Sequence, residues 1–221
     1  MALLSINWQT RTEVAPAAPT TGQTEEVAPV DKQAGISDKP HMVYVMSDDP
    51  TDSETRMLDS VAFAKEQVGV GSKFFIAIKM TTGDAAQDRI IKDAGRSVPR
   101  IVFLDRRFKV LNVLEGNELS GGGIVKAMQQ VVSKEYVNNF DQMVKSYISL
   151  LNDLDRLESK KETIEDQKRR VAEKPNKSKE VKIARDEAEY KAEMEAFEAK
   201  EKKILELKIK GADEKPAPEE A

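Results

Sequence analysis

Four carboxylates crowd the run Ser47-Asp48-Asp49-Pro50-Thr51-Asp52-Ser53-Glu54. Hard oxygen ligands of this kind suit calcium or magnesium. The spacing lacks the glycine and the distal glutamate of an EF-hand loop. It fits a helix start better: Thr51, Asp52 or Ser53 can cap, and acids in the first turn favour the helix dipole. The remaining chemistry is sparse. With no cysteine and one histidine, His41, the chain can form neither thiolate nor histidine-cluster metal sites, and no disulfide framework. It has no nucleophile elbow, no phosphate-cradling Gly-Lys-Ser loop and no dinucleotide fingerprint after a first strand. The only glycine cluster, Gly121-Gly122-Gly123, precedes a helix and reads as a flexible turn. These observations predict no resident metal, no cofactor and no enzymatic activity. A metal-dependent or thiol-free enzyme is the weakest reading.

Length and composition bound the rest. Of 221 residues, 33% are charged and 5% aromatic, so the globular part is much shorter than the chain. A net charge of −4, from 35 basic and 39 acidic residues, supplies no global field for a polyanion, which argues against nucleic acid. No apolar run approaches the roughly 20 residues needed to span a bilayer. The N-terminus lacks the basic region of a secretory signal, so a cytoplasmic location is expected.

The elements that would position functional residues follow from periodicity. Residues 1–40 read as a flexible tether rich in Thr, Ala, Pro, Glu and Gln. Near its start Leu4, Ile6 and Trp8 alternate with polar residues, as in a short strand with one apolar face. Such a segment can add to a sheet edge, its own or a partner's. The globular domain spans 41–133. Met42–Met46 reads as a buried strand, followed by a helix to Gly69 whose inner side is Met57, Leu58, Val61, Phe63, Ala64 and Val68. Strand Phe74–Ile78, a helix from Asp84 to Ala94, a hairpin of strands Arg100–Leu104 and Phe108–Leu114, and a helix ending near Ser133 complete the order βαβαββα.

That order resembles thioredoxin over residues 41–133. The strongest match is Val98-Pro99-Arg100-Ile101-Val102-Phe103-Leu104, then Lys109-Val110-Leu111 and Gly116-Asn117-Glu118-Leu119-Ser120. These residues are similar to the family's Pro-strand-turn-strand-Gly-x-Leu-Ser block. The resemblance implies that Pro99 occupies the family's cis-proline position. It also implies that Val98 borders a groove where extended peptides pair. Pro50 and Ser53 fall nearest the positions of the family's redox cysteines. Neither proline nor an ordinary serine exchanges with a disulfide, so a redox-inactive domain is implied.

From Lys134 to Lys210 the chain reads as a helical hairpin. Its first arm carries Met143, Leu150, Leu157, Ile164 and Val171 in one column, with Phe140, Tyr147, Leu154, Lys161 and Lys168 in another. Glu173–Ser178 holds the turn, Pro175 included. The second arm carries Ile183, Tyr190, Phe197 and Ile204. Ile148, Leu151 and Leu205 fall outside the seam, open to self-association or a partner. Residues 211–221 read as a disordered acidic tail. The expectation is therefore an α/β, thioredoxin-like domain with a coiled-coil hairpin, acting as a protein-binding scaffold subunit of a larger assembly. A chaperone holding extended clients around Pro99 is the alternative.

Overall fold

A computed structural model describes residues 5–11, 36–49 and 51–210. Leu4, Pro50, most of the expected tether and the expected tail lie outside the described residues.

Five strands form one mixed sheet. Their bounds are β1 Gln9–Thr10, β2 His41–Met46, β3 Ile76–Thr81, β4 Arg100–Leu104 and β5 Val110–Glu115. The order across the sheet is β1-β3-β2-β4-β5. β3 runs parallel to both β1 and β2, whereas β4 is antiparallel to β2 and to β5. The β4–β5 hairpin turns at Asp105, whose carboxylate accepts from the N–H groups of Arg107 and Lys109. β2 and β4 are buried almost throughout because both faces of the sheet are covered, which explains their unbroken apolar runs. One face packs Val43, Val45, Ile78, Met80, Val102 and Leu104 against Ala85 and Ile91.

The helices are α1 Ser53–Met57, α2 Glu66–Ser72, α3 Thr82–Gln87 and α4 Gly121–Glu135, followed by α5 Phe140–Glu173 and α6 Lys177–Leu205. The single helix expected up to Gly69 is in fact interrupted. After α1 comes a π-helical turn, Leu58–Ala62, in which the Phe63 N–H reaches the Leu58 carbonyl at 3.1 Å. The turn lets Leu58, Ala62 and Phe63 all face inward, and it leaves Met57 and Val61 outside. Gly69 does not end the helix: α2 continues through Gly71, where an added Cβ would lie 2.7 Å from Met128 Sδ of α4. Glycine there permits the close approach of α2 to α4.

Other boundaries shift for local reasons. The helix expected over Asp84–Ala94 breaks at Asp88, a residue 2% exposed whose Oδ1 accepts from the N–H groups of Ile90 and Ile91. An Asx turn thereby replaces helix continuation. The glycine triplet is not a flexible turn before the helix: it forms the first turn of α4, with Ser120 Oγ accepting from Gly123 N–H. The chain is not continuously helical from Lys134, since Tyr136 leaves the helix to bridge Ile209.

The chain divides into two compact units. The first comprises the described residues up to Phe140 together with Leu207–Lys210; the second is Asp141–Glu206. The last described residues therefore belong to the α/β unit: Val137 N–H donates to the Lys208 carbonyl and Lys210 N–H to the Glu135 carbonyl, each at 2.9 Å. In the second unit α5 and α6 pack antiparallel. Leu150 and Leu157 meet Phe197, and Ile164 and Val171 meet Ile183. The heptad column is followed only in part. Lys160 is half-buried and pairs with Glu193 at 2.8 Å and Glu189 at 3.6 Å, while Lys161 is exposed.

Candidate functional site

Val98–Pro99 is a cis peptide bond at the entry to β4, with Pro99 buried. The loop before it is anchored from both sides. The Glu115 carboxylate accepts from the N–H groups of Arg96 at 2.6 Å and Ser97 at 2.8 Å, and Arg100 Nη1 donates to the Ser97 carbonyl at 3.1 Å. Val98 is half-buried, and among the described residues its backbone has no hydrogen-bond partner. Pro99 forms one wall of a cleft of about 450 Å³. Glu54, Met57, Leu58, Val61, Ala62, Lys65 and Leu119 line the same cleft. Met57 is 66% exposed and Val61 54%. The cleft is thus mostly apolar, with one acid and one base among its lining residues.

Periodicity placed Met57 and Val61 in the core, so the sequence reasoning missed them as site residues, along with Glu54, Lys65 and Leu119. A signal was present. Residues 54, 57, 61 and 65 recur at helical spacing on a face distinct from that of Leu58 and Ala62, and a helix apolar on two faces has more than a core to contact.

The acidic run holds itself. Asp52 caps α1, accepting from Thr55 N–H at 2.7 Å. Asp49 Oδ1 accepts from the N–H and hydroxyl of Thr51, which draw its carboxyl below the usual range. Asp48 Oδ1 accepts from Gly83 N–H at 3.4 Å. Ser53 opens α1 and is exposed, while Pro50 lies outside the described residues. Among the described residues no three His, Asp or Glu side chains converge as metal ligands would. No helix among them is long and apolar enough to cross a membrane.

The N-terminal segment meets this chain's own sheet. Gln9 and Thr10, expected in the tether, pair with Ile78 and Lys79. The half-buried Trp8 ring lies 5.6 Å from Tyr44 and 5.2 Å from Phe63 between centroids. Ile6 is half-buried beside it and lines a second open cleft with Asp59 and Lys79. Trp8 and Pro99 thus line separate clefts.

The class these features define is an α/β domain with a mixed five-stranded sheet, combined with an antiparallel helical hairpin. Compared with models of known families and with curated proteins, the chain matches none.

Proposed function

We propose that the α/β domain is a redox-inactive, thioredoxin-like domain and that the chain is a non-enzymatic interaction subunit, holding an extended segment of another protein beside Pro99. One observation carries the reading: Met57 and Val61 stand in solvent in the cleft that Pro99 also lines. A domain with this well-filled core gains nothing in folding from leaving two large apolar side chains together at an open cleft, and such patches mark interaction sites. The strand order and the X-Pro bond before β4 support the family assignment. The lack of any cysteine leaves no thiol for exchange. A segment lying along Val98 would gain main-chain hydrogen bonds by strand addition, with Met57 and Val61 taking its side chains.

Binding of the full chain to an array of extended peptides tests this. Apolar, β-branched peptides should bind. The double variant Met57→Glu, Val61→Glu should weaken them by about tenfold or more, as expected when a few anchors carry the affinity. The thermal midpoint should hold, because both side chains are already exposed. Unchanged binding by the double variant rejects the site.

The chaperone reading draws on Met57 itself, whose flexible thioether suits varied apolar clients. Cross-linking in native lysate separates the two: one stoichiometric partner fits the subunit, many unfolded ones the chaperone.

A further inference from the structure

The hairpin unit segregates its charge. Between Lys168 and Arg185 stand eight basic residues and two acidic ones, Glu173 and Glu180, whereas the rest of Asp141–Glu206 holds eight basic and fifteen acidic residues. This basic stretch is the turn end, from the last turn of α5 through Asn176 to the first turns of α6. Every residue from Ala172 to Lys182 is exposed. Lys168, Arg169 and Arg185 pair with Glu187, Asp166 and Glu189. Among the described residues Arg170, Lys174, Lys177, Lys179 and Lys182 form no ion pair.

Helix stability accounts for only half of this. Cations at the C-terminus of α5 complement its dipole, but Lys177, Lys179 and Lys182 oppose that of α6, where acids would be favoured. Crowding like charges around one turn adds repulsion. The seam needs none of these three: Ile183 and Phe197 face α5, and Asn176 Oδ1 already caps α6, accepting from the N–H groups of Ser178 and Lys179. Their placement is therefore not explained by folding.

We propose that the turn end of the hairpin binds the phosphate backbone of duplex nucleic acid, without sequence selectivity. Four of the five unpaired cations are lysines, which act as point charges towards phosphate and are depleted at protein–protein interfaces. From Glu165 to Glu189 there is no Phe, Tyr or Trp, so the stacking platforms that hold single strands are missing, as are the aromatic anchors of a membrane-surface helix. The net charge of −4 hid this local field from a whole-chain reading.

Fluorescence anisotropy of the full chain with a labelled duplex of about 20 base pairs, titrated from about 50 to 200 mM NaCl, tests the proposal. Five phosphate contacts predict a slope of log K against log [salt] of about −4.5, alike for unrelated duplex sequences. The variant Lys177→Gln, Lys179→Gln, Lys182→Gln should bring the slope to about −2. Its helical circular dichroism should be equal or stronger, which separates lost contacts from lost fold. No saturable binding at the lowest salt overturns the proposal, and so does a slope unchanged in the variant. Poly-glutamate binding as tightly as the duplex overturns it in favour of an acidic protein partner.

Discussion

His41 opens β2 with only 2% of its surface exposed, its ring 4.5 Å from that of Phe108 and its Nδ1 3.4 Å from the Asp105 carbonyl oxygen. Burial disfavours the charged ring and, helped by Arg11, outweighs the Asp105 carbonyl and carboxylate, so the pKa falls below its ordinary value. The folded state then binds the proton less readily than the unfolded chain. His41 stabilises the domain above its unfolded pKa, and that contribution is lost as pH falls through the window below about 6.5. Glu135 acts oppositely: burial, then Asp105, holds its carboxyl above the usual range, so its contribution is lost as pH rises. Comparing the native chain with His41→Gln isolates the histidine, because Glu135 remains in both. The native thermal midpoint should drop more than the variant's between about pH 7.5 and pH 5. Parallel curves would refute the assignment. Asp88→Ala should cost about 1–3 kcal/mol by leaving the half-buried N–H of Ile90 and the buried N–H of Ile91 without their acceptor, measurable by urea denaturation.

At the scale of elements, legibility depended on whether a segment's partners were local. The strand run Arg100–Leu104 and the hairpin turn at Asp105 could be read directly, because an apolar run flanked by a polar turn has few alternatives. The interruption at Leu58–Ala62 was hidden. Phe63, just after it, meets Tyr44 at 5.0 Å, a contact distant in sequence, and Met57 and Val61 are left exposed at the cleft. Pro99 could be singled out from its X-Pro pair and the block that follows it, whereas Lys65 and Leu119 line the same cleft only through tertiary structure. In the hairpin, the column Leu150, Leu157, Ile164 was legible from spacing alone. Phe197 fills the seam against Leu150 and Leu157 and is buried, while Val181 is 67% exposed. Phe197→Ala should therefore cost the hairpin about 3 kcal/mol, whereas Val181→Ala stays within about 0.5 kcal/mol. Equal effects, followed by helical circular dichroism on heating, would mean that the seam is wrongly drawn.

At the scale of the whole molecule, the hairpin is an insertion. The α/β unit leaves off at Phe140 and resumes at Leu207, and it closes by its own hydrogen bonds: Val137 to Lys208, Lys210 to Glu135, and Lys208 N–H to Asn138 Oδ1 at 2.7 Å. Tyr136, 1% exposed, bridges Ile209 and lies buried beside them. Those bonds hold the two chain ends so close that a linker of about six glycine and serine residues, reaching about 20 Å when extended, can join them. Replacing Asp141–Glu206 by such a linker should leave a folded unit with near-native near-ultraviolet circular dichroism. Loop closure of that length adds little entropy cost, and the cluster in which β2, β3 and β4 side chains pack on Ala85 and Ile91 contains no hairpin residue. Ending the chain at Glu206 should do the reverse. It removes the partners of Glu135 and Val137 and uncovers Tyr136, so the thermal midpoint of the α/β unit should fall, although fewer residues are lost than in the excision. A domain that tolerates losing these last residues but not the hairpin would show that the hairpin, not the returning segment, completes its fold.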